Sequence, residues 1–208
     1  MNNNSSFLAN IPSATKNLLI INALFFLATY LLRNIDWNFL GMYYWQSEDF
    51  RIYQIVTYMF MHADIGHIFF NMFAVYMFGS VLEHFWGAKK FLYYYFFAGI
   101  GAAIIQQIVW YYTGNAGVTI GASGAVFGLL LAYGWMFPNE KLFFMFIPIP
   151  IKAKYFIMIY SFMELFLGVV SVSGDNIAHF AHLGGMIFGL ILMLYWRKKG
   201  KLYNDSIR

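Results

Sequence analysis

The residues best suited to chemistry form three polar groups within apolar stretches, and the first group surrounds a serine. Ser123 lies in Gly121-Ala122-Ser123-Gly124, where a short apolar run begins. Small neighbours allow close approach to the serine backbone, and a helix that begins here offers unpaired N–H groups. These features suit a serine nucleophile, because the backbone N–H groups beside it could donate to the oxyanion that forms on the attacked carbonyl. They also suit helix capping and packing, because Gly124 and Gly128 form a GxxxG pattern.

A histidine and two glycines form the second group, in the last apolar run. His182, Gly185 and Gly189 have i, i+3, i+7 spacing and share one helix face. The small residues allow a neighbouring helix to approach, which would let the imidazole act as the base that a serine nucleophile needs. A packing histidine is the alternative. We interpret His179, three residues earlier, as a structural residue at the end of the preceding loop.

The third group is His67 and Asn71, which have i, i+4 spacing and share a helix face. Both side chains carry N–H donors. They could therefore donate to an oxyanion or hold two helices together.

Together the groups predict a serine hydrolase site without a carboxylate. Ser123 would be the nucleophile, His182 the general base, and His67 and Asn71 oxyanion donors. No carboxylate lies near His182 in its own apolar run, and Asp175 falls in the preceding loop. We therefore predict a Ser–His dyad. For Glu164 we predict only a protein-facing, hydrogen-bonding group.

The elements that position these groups are membrane helices. Of 208 residues, 61% are hydrophobic and only 11% charged, against about 25% charged in soluble domains. We predict six spans, the fourth short for a bilayer of about 30 Å. They run approximately Asn17–Leu32, Gly66–Phe85, Phe91–Tyr112, Ser123–Phe137, Tyr155–Val172 and Ile177–Trp196.

Basic residues between the spans predict the topology. Eleven would lie on the side of both termini and only Arg33 and Arg51 on the other, which predicts cytoplasmic termini. We divide the chain into a polar segment (1–16), a six-span catalytic domain (17–196) and a basic tail (197–208). The eleven are Lys16, Lys89, Lys90, Lys141, Lys152, Lys154, Arg197, Lys198, Lys199, Lys201 and Arg208.

Other classes of protein fit less well. The net charge of +4 is explained by topology and anionic lipids, so we expect no nucleic-acid partner. The sequence has no cysteine and no HExxH motif, and we expect neither a metal nor a cofactor. A channel or transporter using His67, Asn71 and His182 as a polar path remains an alternative.

Three motifs in this order resemble the rhomboid family of intramembrane serine proteases. Along the chain they are GHIFFN at 66–71, GASG at 121–124, and AHLGG at 181–185 followed by Gly189. The resemblance covers roughly Asn17 to Trp196. It implies an all-α, six-helix membrane bundle that cleaves single-pass transmembrane proteins near the external interface, with Ser123 and His182 as catalytic residues and His67 and Asn71 as oxyanion donors. A catalytically inactive, client-binding relative is the alternative.

The resemblance has further implications. Glu83 matches a structural family position, and the fifth span with the loop before Ile177 would form a lateral gate. Phe127 replaces a common tyrosine and could still pack against His182. Tyr53-Gln54 replaces a common Trp-Arg pair. We expect membrane lipids and transmembrane substrates as partners, in a bacterial plasma membrane, and make no prediction about oligomeric state.

Overall fold

The described part of the chain is a bundle of apolar helices with one small β-hairpin. A computed structural model describes residues 10–144, 147–170 and 179–202. Asp175 and the loop before Ile177 lie outside the described residues, as do most of the polar N-terminal segment and the end of the basic tail. The long elements are α1 (Ser13–Leu31), α2 (Ile65–Trp86), α3 (Ala88–Thr113), α4 (Ser123–Met136), β1 (Lys141–Phe144), β2 (Ile147–Lys152), α5 (Ala153–Val170) and α6 (His179–Lys198).

The helices match the predicted apolar runs to within a few residues. All except α4 are long and apolar enough to cross a membrane. Helix α4 has 14 residues, which at about 1.5 Å per residue falls short of the hydrocarbon core. The prediction of a short fourth helix is therefore confirmed. Six crossings and cytoplasmic termini stay predictions.

Carboxylates define the start of α1 and of α2. The Asp64 side chain accepts the backbone N–H of His67 at 2.8 Å, capping α2. Helix α1 has no side-chain cap of its own. The Glu83 carboxylate, near the other end of α2, instead accepts the backbone N–H groups of Ala14 and Thr15 at 2.8 and 2.7 Å. Glu83 is therefore a structural residue that joins the two helices, as the resemblance implies.

The long segment between α1 and α2 is ordered by Gln54. This fully buried side chain donates to the backbone carbonyls of Phe39 and Asp49, each at 3.0 Å. Its Oε1 accepts the N–H of Arg51 at 3.1 Å. An amide can serve both donors and acceptors of a loop, so Gln54 supports this loop from within.

The hairpin between α4 and α5 is the departure from the predicted all-α fold. Strands β1 and β2 pair antiparallel, with Lys141 opposite Lys152 and an irregularity after Phe143. The sequence of β2, IPIPIK, contains two prolines. Proline removes a ladder donor but is tolerated at a sheet edge, so a two-stranded hairpin accommodates both. Because this segment is short, its apolar residues did not identify it as strand.

Candidate active site

Ser123 and His182 meet at the interface of α4 and α6. The Ser123 Oγ lies 2.8 Å from His182 Nε2, although the residues are 59 positions apart in sequence. Ser123 is the first residue of α4 and is half-buried. His182 lies in the first turn of α6 and is buried. A hydroxyl within hydrogen-bond distance of an imidazole has the geometry for proton transfer to the ring.

Glycines make this meeting possible. A Cβ added at Gly185 would overlap the carbonyl oxygen of Gly124. One added at Gly128 would lie 3.2 Å from the Gly185 carbonyl oxygen, closer than ordinary van der Waals contact. The two backbones therefore approach more closely than side chains would allow. The prediction that the glycine face of His182 meets the serine helix is confirmed.

A carboxylate contacts the other nitrogen of His182. Glu164, on α5, is buried and its Oε2 lies 2.9 Å from His182 Nδ1. The prediction that His182 has no neighbouring carboxylate is therefore wrong: the carboxylate comes from the adjacent helix. Glu164 does face the protein and form hydrogen bonds, as expected.

The same carboxylate oxygen contacts His179. The His179 Nδ1 lies 2.7 Å from Glu164 Oε2. His179 is the first described residue of α6 and is buried, and its interpretation as a structural residue at the end of the preceding loop stays a prediction, because residues 171–178 lie outside the described part of the chain. It belongs to the same polar cluster as His182.

Phe127 packs flat against the His182 imidazole. Its ring is stacked on the His182 imidazole, with centroids 4.3 Å apart and an interplanar angle of 11°. Phe127 lies one turn after Ser123 on α4, so serine and ring contact the imidazole from one helix. The expected packing is confirmed, and the contact limits rotation of the imidazole.

His67 directs one nitrogen towards the segment that carries Ser123. Its Nδ1 accepts the backbone N–H of Ala63 at 3.3 Å, so the ring proton resides on Nε2. That Nε2 lies against Gly121, where an added Cβ would be only 2.6 Å from it and 3.8 Å from the Ser123 Oγ. An N–H donor therefore points towards the space beside Ser123.

A second histidine supports the His67 ring. His62 is buried and packs edge-on against His67, with ring centroids 5.0 Å apart. Burial and the neighbouring imidazole lower the pKa of His62 to about 4. His62 is therefore neutral near pH 7 and acts as a packing group.

Asn71 lies one turn below His67 on α2. Its Nδ2 donates to the His67 carbonyl at 3.0 Å. An amide nitrogen carries two hydrogens, so one donor remains for a second acceptor. Asn71 lines the cavity that contains Ser123.

The cavity that contains Ser123 runs between α2, α4 and α5. Its volume is about 490 Å³. Besides Ser123, His67 and Asn71, its lining is almost entirely apolar: Phe70, Phe73, Ala74, Phe78, Val126, Phe127, Leu130, Phe143, Phe156 and Tyr160. An apolar cavity with a few convergent polar groups is typical of a binding site.

Three side chains could in principle hold a metal ion. The ligand atoms of Glu164, His179 and His182 lie within 4.8 Å of one another. The carboxylate binds both imidazoles directly, however, at 2.7 and 2.9 Å. The cluster is thus satisfied by its own hydrogen bonds.

Comparison with known proteins identifies the family. The Rhomboid domain model matches residues 49–199. Rhomboid protein 1, mitochondrial, of Saccharomyces cerevisiae is 28% identical over 78% of this chain and 47% of the relative. The rhomboid relative YdcA of Bacillus subtilis is 32% identical over 73% of this chain and 71% of its own length. Rhomboid-like protease 3 of Toxoplasma gondii is 28% identical over 73% of this chain and 54% of the relative.

The match begins after α1, whereas the resemblance read from the motifs extends to Asn17. The chain spans about half the length of the yeast and Toxoplasma relatives. All three motifs, the Ser123–His182 contact and α2 to α6 fall within residues 49–199. The chain belongs to the rhomboid family.

Proposed function

We propose that this protein is an intramembrane serine endopeptidase that cleaves single-pass transmembrane proteins. The observation that carries the proposal is the 2.8 Å contact between Ser123 Oγ and His182 Nε2 beside an apolar cavity. Ser123 is the nucleophile and His182 the general base. No metal or cofactor is required for this chemistry.

The reaction proceeds by acyl transfer. His182 Nε2 takes the Ser123 hydroxyl proton as Oγ bonds to the scissile carbonyl carbon, whose oxygen becomes an oxyanion. The C–N bond then breaks, and His182 gives the proton to the leaving amine. A water molecule, deprotonated by His182, releases the acyl group by the reverse sequence.

Donors for the oxyanion come from two elements. The His67 Nε2–H, the second hydrogen of the Asn71 amide and the first backbone N–H groups of α4 surround the cavity beside Ser123. Donors held in place before the reaction stabilise the developing charge at little reorganisation cost. This arrangement supports His67 and Asn71 as oxyanion donors.

The cavity suggests how a substrate reaches the serine. Its walls come from α2 and from α5, whose surface is mostly apolar and exposed. A transmembrane substrate would enter between these helices from the lipid. Helical carbonyls are already hydrogen-bonded, so we expect cleavage where glycine, alanine or polar residues weaken the helix.

The protein is a multi-pass membrane protein, and its orientation follows from charge. We infer cytoplasmic termini from the eleven-to-two distribution of basic residues, which places Ser123 towards the outside. A bacterial plasma membrane stays a prediction. Reporters fused to each terminus test the topology.

A fluorophosphonate probe tests the function. In detergent, the wild-type protein should be labelled on Ser123, and Ser123→Ala should abolish both labelling and cleavage of a transmembrane substrate. His182→Ala should abolish cleavage as well. A wild-type protein that is folded but not labelled would support the inactive, client-binding alternative.

A further inference from the structure

The carboxylate of Glu164 is the feature that the proposed function leaves unused. It is the one acidic residue of α5, whose one basic residue is Lys154, and it is 8% exposed. Most other residues in this half of α5 are exposed and apolar, including Phe162, Leu165 and Val169. An ionisable group buried in a membrane helix is costly and is retained where it has a partner.

We propose that Glu164 is a positioning residue for the catalytic base and extends the dyad to a Ser–His–Glu triad. The inference rests on the proposed function. Glu164 does not line the cavity and acts through His182.

The geometry assigns the proton on His182. A carboxylate oxygen only accepts hydrogen bonds, so the 2.9 Å contact with Glu164 Oε2 places a hydrogen on Nδ1. Nε2 is then the unprotonated nitrogen, and it faces the Ser123 hydroxyl at 2.8 Å. Glu164 thereby selects the tautomer that can take the serine proton.

The carboxylate also acts during the reaction. When Nε2 takes the proton, His182 becomes an imidazolium ion in a buried site. A carboxylate bonded to Nδ1 compensates that charge, and charge-assisted hydrogen bonds are the stronger ones. No proton passes to Glu164: in both half-reactions His182 takes and gives protons at Nε2 only, exchanging them with Ser123, the leaving amine and the attacking water.

Two features hold Glu164 in place. His179 donates to the same oxygen at 2.7 Å, which gives the carboxylate a second donor. Gly168, one turn later on α5, lies against α6: an added Cβ would be 3.3 Å from the His179 Cβ. The close approach of the two helices lets a glutamate reach both imidazoles.

Glu164→Gln and Glu164→Ala separate the two contributions. Glutamine can still accept the N–H bonds but has no charge, whereas alanine removes both. We expect kcat to fall on the order of 10–100-fold in Glu164→Gln and 100–10,000-fold in Glu164→Ala, with KM nearly unchanged. His179→Ala should retain a substantial fraction of turnover. The control is Phe162→Leu, at an exposed position of the same helix.

Fluorophosphonate labelling at Ser123 gives two quantities, the rate constant and the final stoichiometry. Cleavage of a transmembrane substrate is measured on the same samples and divided by the number of labelled sites. A positioning role slows the rate constant while the final stoichiometry stays that of the wild type. A merely structural role lowers the stoichiometry, while each labelled site still reacts and cleaves at the wild-type rate. That result in Glu164→Gln would overturn the proposal. The test with glutamine remains decisive even if Glu164→Ala does not fold. Absence of labelling in the wild type would instead refute the proposed function.

Discussion

Gly121 offers a direct test of the site, because it combines an unusual backbone angle with contact to His67. Its φ is +117°, a conformation that residues with a side chain rarely adopt. We consider Gly121→Ala, which adds one methyl group beside the proposed oxyanion donor.

The structure gives the size of the effect. The new Cβ would lie 2.6 Å from His67 Nε2, and ordinary van der Waals contact begins at 3.4 Å, so the imidazole must retreat by at least 0.8 Å. A shift of that size weakens a hydrogen bond to the oxyanion severely. The backbone strain adds about 1–3 kcal/mol. We expect turnover to fall on the order of 10–1,000-fold and thermal stability to fall modestly.

Two glycines of the preceding loop provide matched controls. Gly114 also has a positive φ, +70°, but nothing lies within 4 Å of an added Cβ. Gly117 has open space and no positive φ. Gly114→Ala should therefore show the strain alone, and Gly117→Ala neither effect. Cleavage of a transmembrane substrate and thermal unfolding in detergent are measured for all three variants.

The double variant Gly121→Ala/His67→Ala completes the test. Removing the imidazole relieves the clash, so the double variant should turn over no more slowly than His67→Ala alone. If Gly121→Ala cleaves as fast as Gly114→Ala, His67 does not assist the reaction from its observed position, and the assignment of His67 as a donor is refuted.

Further predictions concern four other properties. Cleavage should survive EDTA; activity that is lost and then restored by added zinc would assign the histidines as metal ligands. Asn71→Ala should lower turnover on the order of 10–1,000-fold with folding retained, whereas lower stability with normal turnover would make Asn71 a packing residue. Glu83→Ala leaves the buried N–H groups of Ala14 and Thr15 without their acceptor, which should lower the free energy of unfolding by about 1–3 kcal/mol for each without changing turnover per labelled site. The pKa of His62 is about 4 in the folded protein and about 6.5 in the unfolded chain, so the unfolded chain binds the proton more readily. The free energy of unfolding should therefore fall as the pH drops from 6.5 to 4, by up to about 1.4 kcal/mol per pH unit. His62→Phe should reduce this pH dependence, as measured by thermal unfolding.

The sequence predicted the elements well because length and hydropathy determine them. The apolar runs, the short α4 and the glycine face beside His182 are all local patterns of one helix. Ser123 and His182 could be paired because a serine nucleophile requires a base, which limits the candidates. The 2.8 Å contact between Ser123 Oγ and His182 Nε2 agrees with that pairing.

The partner of Glu164 could not be predicted from the same patterns. Glu164 indicates which side of α5 faces the protein, but the apolar residues around it do not indicate which helix that side contacts or at what height. The contact with His182 crosses 18 positions of sequence and depends on how two helices pack. Gln54 is similar: its hydrogen bonds involve irregular loop backbone, for which no periodicity exists.

The bond between Glu83 and the start of α1 has a consequence for membrane insertion. Helix α1 is synthesised first, yet the acceptor for the N–H groups of Ala14 and Thr15 lies about 70 residues later. Until α2 has been inserted, those amides must bind water or headgroups on the predicted cytoplasmic side. The first turn of α1 therefore gains its acceptor only once residue 83 is in place, and the first two helices are hydrogen-bonded completely only as a pair.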